Sequence, residues 1–304
     1  MRVATTWGDA REFIADQGSI GLVPTMGFLH EAHAALFDAA VAASDVAVAS
    51  IFVNPLQFNS ANDLKAYPRD LDRDLQIAET AGIEVVFVPS EAEMYPEDMS
   101  TTVSVGAVAT GMEGDYRPGH FEGVATVVAK LFAGLRPDTA YFGKKDAQQL
   151  AVIRTMARDL SLPVGVVGCP TLRESDGLAL SSRNVRLDPH RRSEATVLSR
   201  GLFRAAELID DGMLDATILA GVVRTEFEQV GISPEYVQLA SQAGARPLES
   251  VDQPAFLAVA AWVGEVRLID NIHIDFVDGR PVPDRGLTLS SQSVLYGGSS
   301  DTCC

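Results

Sequence analysis

The sequence predicts an α/β protein: a parallel sheet covered by helices on both faces, followed by a smaller α+β unit. Three observations carry this. Apolar runs such as 46–53 and 85–88 are apolar almost throughout rather than alternating, as strands buried on both faces must be. These runs alternate with stretches of helical period, of which 121–135 is the clearest, with Val124, Val127, Val128, Leu131, Phe132 and Leu135 in phase. After about residue 172 the texture changes to a polar, glycine-containing stretch, then two helical patterns, then three strand patterns.

Taken in order, residues 9–17 read as a short amphipathic helix closed by Gly18. A strand follows near 19–23, with Pro24 expected to end it. From His30 the period becomes helical to about Ala43, with Leu36, Phe37, Ala40 and Val41 on one face. The run 46–53 is the second strand and ends at Asn54-Pro55-Leu56-Gln57-Phe58. Residues 70–81 form a helix with Gly82 as its cap, and 85–88 form a third strand stopped by Pro89. An edge strand is expected at 101–105 and a loop at 111–119. Helix 121–135 leads to a strand at 140–142 and then to Gly143-Lys144-Lys145-Asp146. Asp146 has N-cap position and Gln149 lies three residues on, the spacing of a capping box, opening a helix to about Leu160. A fifth strand is expected at 164–168. Strand–helix alternation on this scale predicts a Rossmann-like N-terminal domain, 1–171. Helices near 189–210 and 214–230 and strands near 235–240, 255–263 and 265–270 predict a small α+β lid domain, 172–283. The Ser- and Gly-rich stretch 284–304 is expected to be a disordered tail.

Composition narrows the partners. With 24 Lys+Arg against 41 Asp+Glu, a net charge of −17 disfavours nucleic acid as a general partner, while leaving room for a local basic pocket. No apolar run reaches membrane-span length and the first residues carry no apolar signal region, so no membrane is expected. Cys169, Cys303 and Cys304 have no spacing for a disulfide framework or metal knuckle, which points to a reduced, cytoplasmic protein.

The polar clusters fall directly after strands: Pro24-Thr25-Met26 to His33, Asn54 to Gln57, and Gly143 to Gln149. In parallel sheets of this kind, ligands bind beyond the carboxyl ends of the strands. His30 and His33 lie one helical turn apart at a helix start, where unpaired N–H groups and the helix dipole attract anions, which makes a phosphate site. The spacing His-Glu-Ala-His is one residue short of the zinc-protease pattern, so zinc chemistry is rejected. No P-loop, dinucleotide fingerprint or nucleophile elbow is present. A bound nucleotide would therefore rest on the histidines, a helix N-terminus, Lys145, Arg117 and the Ser181-Ser182-Arg183 loop, as in adenylating enzymes of the HIGH/KMSKS type.

Over nearly all of residues 1–275 the chain closely resembles the pantothenate synthetases (pantoate–β-alanine ligases). The matching pieces, in order, are Val23-Pro24-Thr25-Met26-Gly27, His30-x-x-His33, Ser50 through Phe58, Tyr67-Pro68-Arg69, Arg117-Pro118-Gly119-His120-Phe121-x-Gly123-Val124, Gly143-x-Lys145-Asp146-x-Gln148-Gln149, Arg173 through Asn184 and Arg267-Leu268-Ile269-Asp270-Asn271. Each is weak alone; in sequence they are specific.

The resemblance implies ATP-dependent joining of pantoate and β-alanine through a pantoyl adenylate, with Mg²⁺, in a homodimer. It implies His30, His33, Lys145 and Arg183 as catalytic. ATP would be bound by these with Pro24, Thr25, Met26, Gly143, Asp146, Leu180, Ser181 and Ser182. Pantoate would meet Gln57 and Gln149, bordered by Thr25, Met26, Asn54 and Arg117. Asp74 is a candidate metal ligand, the phosphates being the other. Two positions depart from the family pattern: Ala32 stands where H-x-G-H has glycine, and Leu180 where methionine is usual. Two other readings fit the residues. One is a different nucleotidyl transferase, which the Gln57/Gln149 pair argues against. The other is a binding protein without turnover, which the retained histidines, Lys145 and Ser181-Ser182-Arg183 argue against.

Overall fold

The structure, a computed structural model, describes residues 1–296. The chain divides into two compact units: Met1–Phe142 with Val152–Cys169, and Gly143–Ala151 with the chain from Pro170 on. The stretch Gly143–Ala151 thus groups with the second unit, not with the 1–171 domain expected from the sequence.

In the first unit, β1 (Arg2–Ala4) precedes α1 (Trp7–Ile14), β2 (Ile20–Thr25) and α2 (Glu31–Ala43). β3 (Val46–Ile51) is followed by α3 (Ala61–Ala66), α4 (Leu71–Thr80) and β4 (Val85–Phe87). Short helices α5 (Glu91–Met94) and α6 (Glu113–Tyr116) lead to α7 (His120–Leu135) and β5 (Thr139–Gly143). Helix α8 (Ala147–Asp159), which belongs to this unit from Val152 on, and β6 (Gly165–Cys169) complete it. The sheet order is β1-β4-β3-β2-β5-β6. Winding reverses between β2 and β5, which singles out the carboxyl end of β2 as a ligand-facing end. All six residues of β3 are buried, as its unbroken apolar run requires. Val23, Leu29, Phe37, Ala49, Ala78 and Val86 form part of one core cluster.

Two expectations change here, and one strand is new. β2 runs through Pro24, which pairs with Ser50, instead of stopping before it. Its pairing with β5 covers only Gly21 and Leu22, so a residue without an N–H costs no ladder bond on that side. Residues 101–105 are not a strand. The edge of β4 is taken by β1, in register Arg2↔Val85, and the Val103 N–H donates to Thr126 Oγ1. A three-residue strand is too short to show a period, which hides β1 in the sequence.

The second unit contains β7 (Leu172–Arg173), α9 (Pro189–Glu194), α10 (Val197–Asp210) and α11 (Ala216–Gln229). Then come β8 (Pro234–Ser241), β9 (Ala255–Val263), β10 (Val266–Val277), β11 (Arg280–Asp284) and β12 (Leu287–Thr288). An antiparallel sheet of order β11-β10-β9-β8 shares a core with α10 and α11 through Leu202, Ile209, Val223, Phe227, Leu257 and Ile272. The helix expected at 189–210 is two helices. Asp188 caps the first through the N–H groups of His190 and Arg191. The tail expected to be disordered from 284 instead pairs in parallel with β7, Leu287↔Leu172 and Thr288↔Arg173. Cys303, Cys304 and the rest of 297–304 lie outside the described residues. Among the described residues no helix is long and apolar enough to cross a membrane.

Candidate active site

The turn after β2 is held from three directions. Thr25 Oγ1 donates to the Ser50 carbonyl and accepts from the Gly27 N–H. Gly27 and Phe28 both adopt positive φ, +80° and +51°. An added Cβ on Gly27 would lie 2.8 Å from Asp74 Oδ2, so only glycine fits. Asp74, 1% exposed, clamps the turn: Oδ2 accepts from Phe28 N–H at 2.8 Å and Oδ1 from Leu29 N–H at 2.7 Å. Burial pushes this carboxyl above its ordinary range, against the pull of the two amides.

That clamp delivers His30 as the N-cap of α2, buried and extended, with the helix beginning at Glu31. His30 Nδ1 accepts from Ala32 N–H at 3.3 Å, and His33 Nδ1 accepts from His30 N–H at 3.2 Å. The pair is a capping box built from two imidazoles. A nitrogen that accepts carries no proton, so each ring holds its proton on Nε2. The ring centroids are 4.2 Å apart. Two neutral N–H donors at a helix N-terminus suit an anion without adding a formal charge.

A second cluster in the same unit centres on Gln57. Gly123 of α7 lets the 55–57 turn pack directly on the helix, since an added Cβ would fall 2.4 Å from Leu56 backbone atoms. The Gln57 carbonyl accepts from His120 Nδ1 at 2.8 Å and from Arg117 Nη2 at 3.3 Å. His120 Nε2 then accepts from Arg117 Nη1 at 3.1 Å, which fixes a neutral ring. Asn54 Nδ2 donates to Gln57 Oε1 and to the Gly123 carbonyl, and Asn54 Oδ1 accepts from Tyr95 Oη. Burial raises the Tyr95 phenol, so it stays a donor. With its oxygen taken, the Gln57 amide directs Nε2 toward Met26 Sδ, 3.2 Å away.

In the second unit, Lys144 and Lys145 occupy one turn but differ in surroundings. Lys144 Nζ pairs with Asp284 at 3.0 Å and Asp275 at 3.5 Å. Burial alone would raise Asp284, but the Lys144 contact and the Gly286 N–H hold it below the carboxylate range. Among the described residues no carboxylate pairs with Lys145. Asp146 opens α8, its carbonyl accepting from Leu150 N–H at 2.9 Å, and Gln149 is half-buried one turn on.

The Ser181-Ser182-Arg183 stretch starts a short 3₁₀ turn in which Ser181 Oγ accepts from Arg183 N–H. Its base is rigid. Arg173, 1% exposed, pairs bidentately with buried Asp270 at 2.7 and 3.1 Å and donates to the carbonyls of Gly177 and Asn271. Asn184 donates to Glu174, and Arg192 ties Glu174 to Asp176.

The structure therefore separates the sequence candidates. In the first unit His30 and His33 contact each other, as do Met26 and Gln57. Thr25 braces the Ser50 carbonyl, Asn54 joins the Gln57 and Tyr95 side chains, and Arg117 reaches the Gln57 carbonyl and His120. Asp74 is a turn clamp, and among the described residues no three His, Cys, Asp or Glu are grouped to hold a metal. Leu180 has a buried side chain, and its N–H donates to the Leu172 carbonyl. Pro24 is half-buried in β2, and Gly143 has open space around its Cα. Sequence reasoning missed the roles of His120, Tyr95, Arg173, Asn271 and His273. His120, Arg173 and Asn271 lie in motif strings, Arg117 to Val124, Arg173 to Asn184 and Arg267 to Asn271, whereas Tyr95 and His273 lie in none.

Comparison with known proteins shows the family. The family description Pantoate-beta-alanine ligase matches residues 2–273. A pantothenate synthetase of Heliobacterium modesticaldum is 49% identical over 90% of this chain and 98% of its own. One from Roseiflexus castenholzii is 48% identical over 89% and 98%. A crystal structure of pantothenate synthetase from Thermus thermophilus superposes with TM-score 0.85 at 45% identity, covering 89% of this chain and 98% of that one. A Francisella tularensis pantoate-beta-alanine ligase complexed with beta-gamma ATP and beta-alanine gives TM-score 0.68 at 34% identity, covering 89% and 97%. The chain belongs to the pantoate–β-alanine ligase family of enzymes.

Proposed function

We propose that the protein condenses pantoate with β-alanine to pantothenate in two half-reactions at the expense of ATP. A pantoate carboxylate oxygen attacks the α-phosphorus, the bond to pyrophosphate breaks, and pantoyl adenylate forms. The neutral amine of β-alanine then attacks the acyl carbon, AMP leaves with the C–O electron pair, and the nitrogen gives up a proton. The carboxylate is ionised at pH 7, so the first step needs no general base. It needs donors where charge accumulates on the phosphate oxygens.

The observation that carries this reading is the paired imidazole cap, with both Nδ1 atoms occupied and both protons on Nε2 at the N-terminus of α2. His30 and His33 are assigned to the phosphates, together with Lys145, Ser181, Ser182 and Arg183. Gly143 and Asp146 are assigned to the ribose, with Pro24, Thr25, Met26 and the Leu180 main chain bordering the nucleotide. Gln57 and Gln149 are assigned to pantoate, with Asn54 and Arg117 fixing Gln57. The described residues provide no metal cage, so Mg²⁺ belongs to this reading only as the companion of the triphosphate. A homodimer in the cytoplasm belongs to it by resemblance, and sedimentation of the pure protein tests the assembly.

Incubation with Mg-ATP, pantoate and β-alanine should yield AMP and pantothenate in equal amounts. With β-alanine omitted, one equivalent of pyrophosphate per site should still form and depend on pantoate. Pyrophosphate release that ignores pantoate would point to a different acceptor and sink the assignment.

A further inference from the structure

Two adjacent cations in one turn, Lys144 and Lys145, are treated oppositely, and the residues that enforce the difference stand on β10. Asn271 Nδ2 donates to the Lys144 carbonyl at 3.1 Å and to the Lys145 carbonyl at 2.6 Å. His273 Nε2 lies 3.1 Å from the Lys144 carbonyl. A carbonyl can only accept, so the His273 proton sits on Nε2. Two side chains, two residues apart on one face of β10, thus place three hydrogen bonds on two consecutive carbonyls. Asp270 points to the opposite face and holds Arg173.

We propose that Asn271 and His273 are positioning residues for adenylation: they set the backbone of the Lys144–Lys145 turn and thereby aim the Lys145 ammonium. The inference rests on the reading that Lys145 engages the nucleotide phosphates. Both side chains are 3% exposed. Each also leaves a buried acceptor without a partner, Asn271 Oδ1 and His273 Nδ1. Burying unpaired acceptors costs stability, so packing alone accounts poorly for these residue types. Their donors, by contrast, are all committed to the turn. Lys144 completes the arrangement: Asp275 and Asp284 draw its ammonium to the ends of β10 and β11, leaving Lys145 as the cation whose direction the turn decides.

The test uses the full-length protein and single-turnover pyrophosphate release with Mg-ATP and pantoate, without β-alanine. Variants are K145A, N271D, H273L and H273Q, with N271D and H273L also combined with K145A. N271D replaces the donor by a carboxylate facing two carbonyls, and H273L deletes the donor. A glutamine amide can reach the position of Nε2. A misaimed group costs about ten- to a hundred-fold in rate, so N271D and H273L should slow adenylation to that extent at saturating substrates, with the KM for pantoate unchanged. H273Q should recover to within about threefold of the parent, as a retained donor requires. In the K145A background neither change should slow the reaction further. Multiplicative losses in that background would overturn the proposal, because the residues would then act independently of Lys145. Parent-like rates for N271D and H273L beside a slow K145A would overturn it while sparing the functional reading. A parent-like K145A would instead remove Lys145 from the reaction and the proposal with it. Should N271D fail to fold, the H273L and H273Q pair makes the same comparison.

Discussion

The turns after β2 and β5 present their functional side chains by contrasting means. After β2, the histidines hold each other: each Nδ1 satisfies a backbone N–H within three residues, with distant support from Asp74, 45 residues from Leu29, and from the Ser50 carbonyl, 25 residues from Thr25. After β5, the Lys144–Lys145 turn is fixed by donors 126 to 129 residues away on β10. The first arrangement is encoded mainly locally, by two left-handed residues, Gly27 and Phe28, and a capping box. The second depends on the second unit's sheet being folded. Damage to the local turn should therefore change chemistry with little change in stability, whereas damage to the remote support should change both.

The largest expected effect tests the local half. His33→Ala removes one donor aimed at phosphate charge, and loss of one such donor typically costs about a hundred- to a thousand-fold in rate. The fold should lose only about 1 kcal/mol, the worth of half a capping interaction. Single-turnover pyrophosphate release and urea unfolding measure the two quantities. A rate within a few fold of the parent would remove His33 from the chemistry. A stability loss several times larger would show that the turn is not autonomous.

That contrast also explains what could be read from the sequence. The paired histidines, Gly27, the strand–helix alternation and the capping position of Asp146 are short-range patterns, and each appears as a spacing. Asp74 was legible as an acid on a helix, but its clamp on the Phe28 and Leu29 N–H groups, 46 and 45 residues away, was not. Asn54 and Arg117 likewise look like ligands from their place in a motif. In the fold Asn54 orients the Gln57 side chain and Arg117 braces the Gln57 carbonyl. Asn271 ends a motif string, but nothing local shows that it and His273 support the Lys144–Lys145 turn. β-strand residues that reach across more than a hundred positions leave no periodicity to detect. The same holds for β12, whose two residues gain their structure only by pairing with β7.

The remote half makes a prediction in pH. His273 is buried beside Lys144, and burial first, then that ammonium, lowers its pKa from 6.5 to about 4. The folded state favours the neutral ring. The stability this represents is complete above pH 6.5 and is lost as the pH falls toward 4. At ~1.4 kcal/mol per pH unit the window is worth about 3 kcal/mol. Unfolding midpoints in urea, measured from pH 7 to pH 4, should decline steeply for the parent. They should decline less for H273Q, which keeps a donor and does not titrate. Equal slopes would mean that other groups govern the acid limb. The β2 turn would then be no less acid-sensitive than its counterpart.

The smallest effect concerns Ala32, which sits at the second position of α2 and donates its N–H to His30 Nδ1. The H-x-G-H pattern that the resemblance implies has glycine at this position, and the methyl of Ala32 is only half-buried. In a helix, alanine is worth about 0.5–1 kcal/mol over glycine, so the alanine strengthens the very cap that orients the imidazoles. A nucleotide lying against the helix backbone would meet that methyl, and overpacking of this size costs about 1 kcal/mol. Ala32→Gly should then lower the KM for ATP by about five-fold, the equivalent of that energy, and lower the unfolding midpoint slightly. If ATP binding weakens instead, the cap's rigidity outweighs the space the methyl occupies. Local encoding of the β2 turn would then extend to the residue between the two histidines.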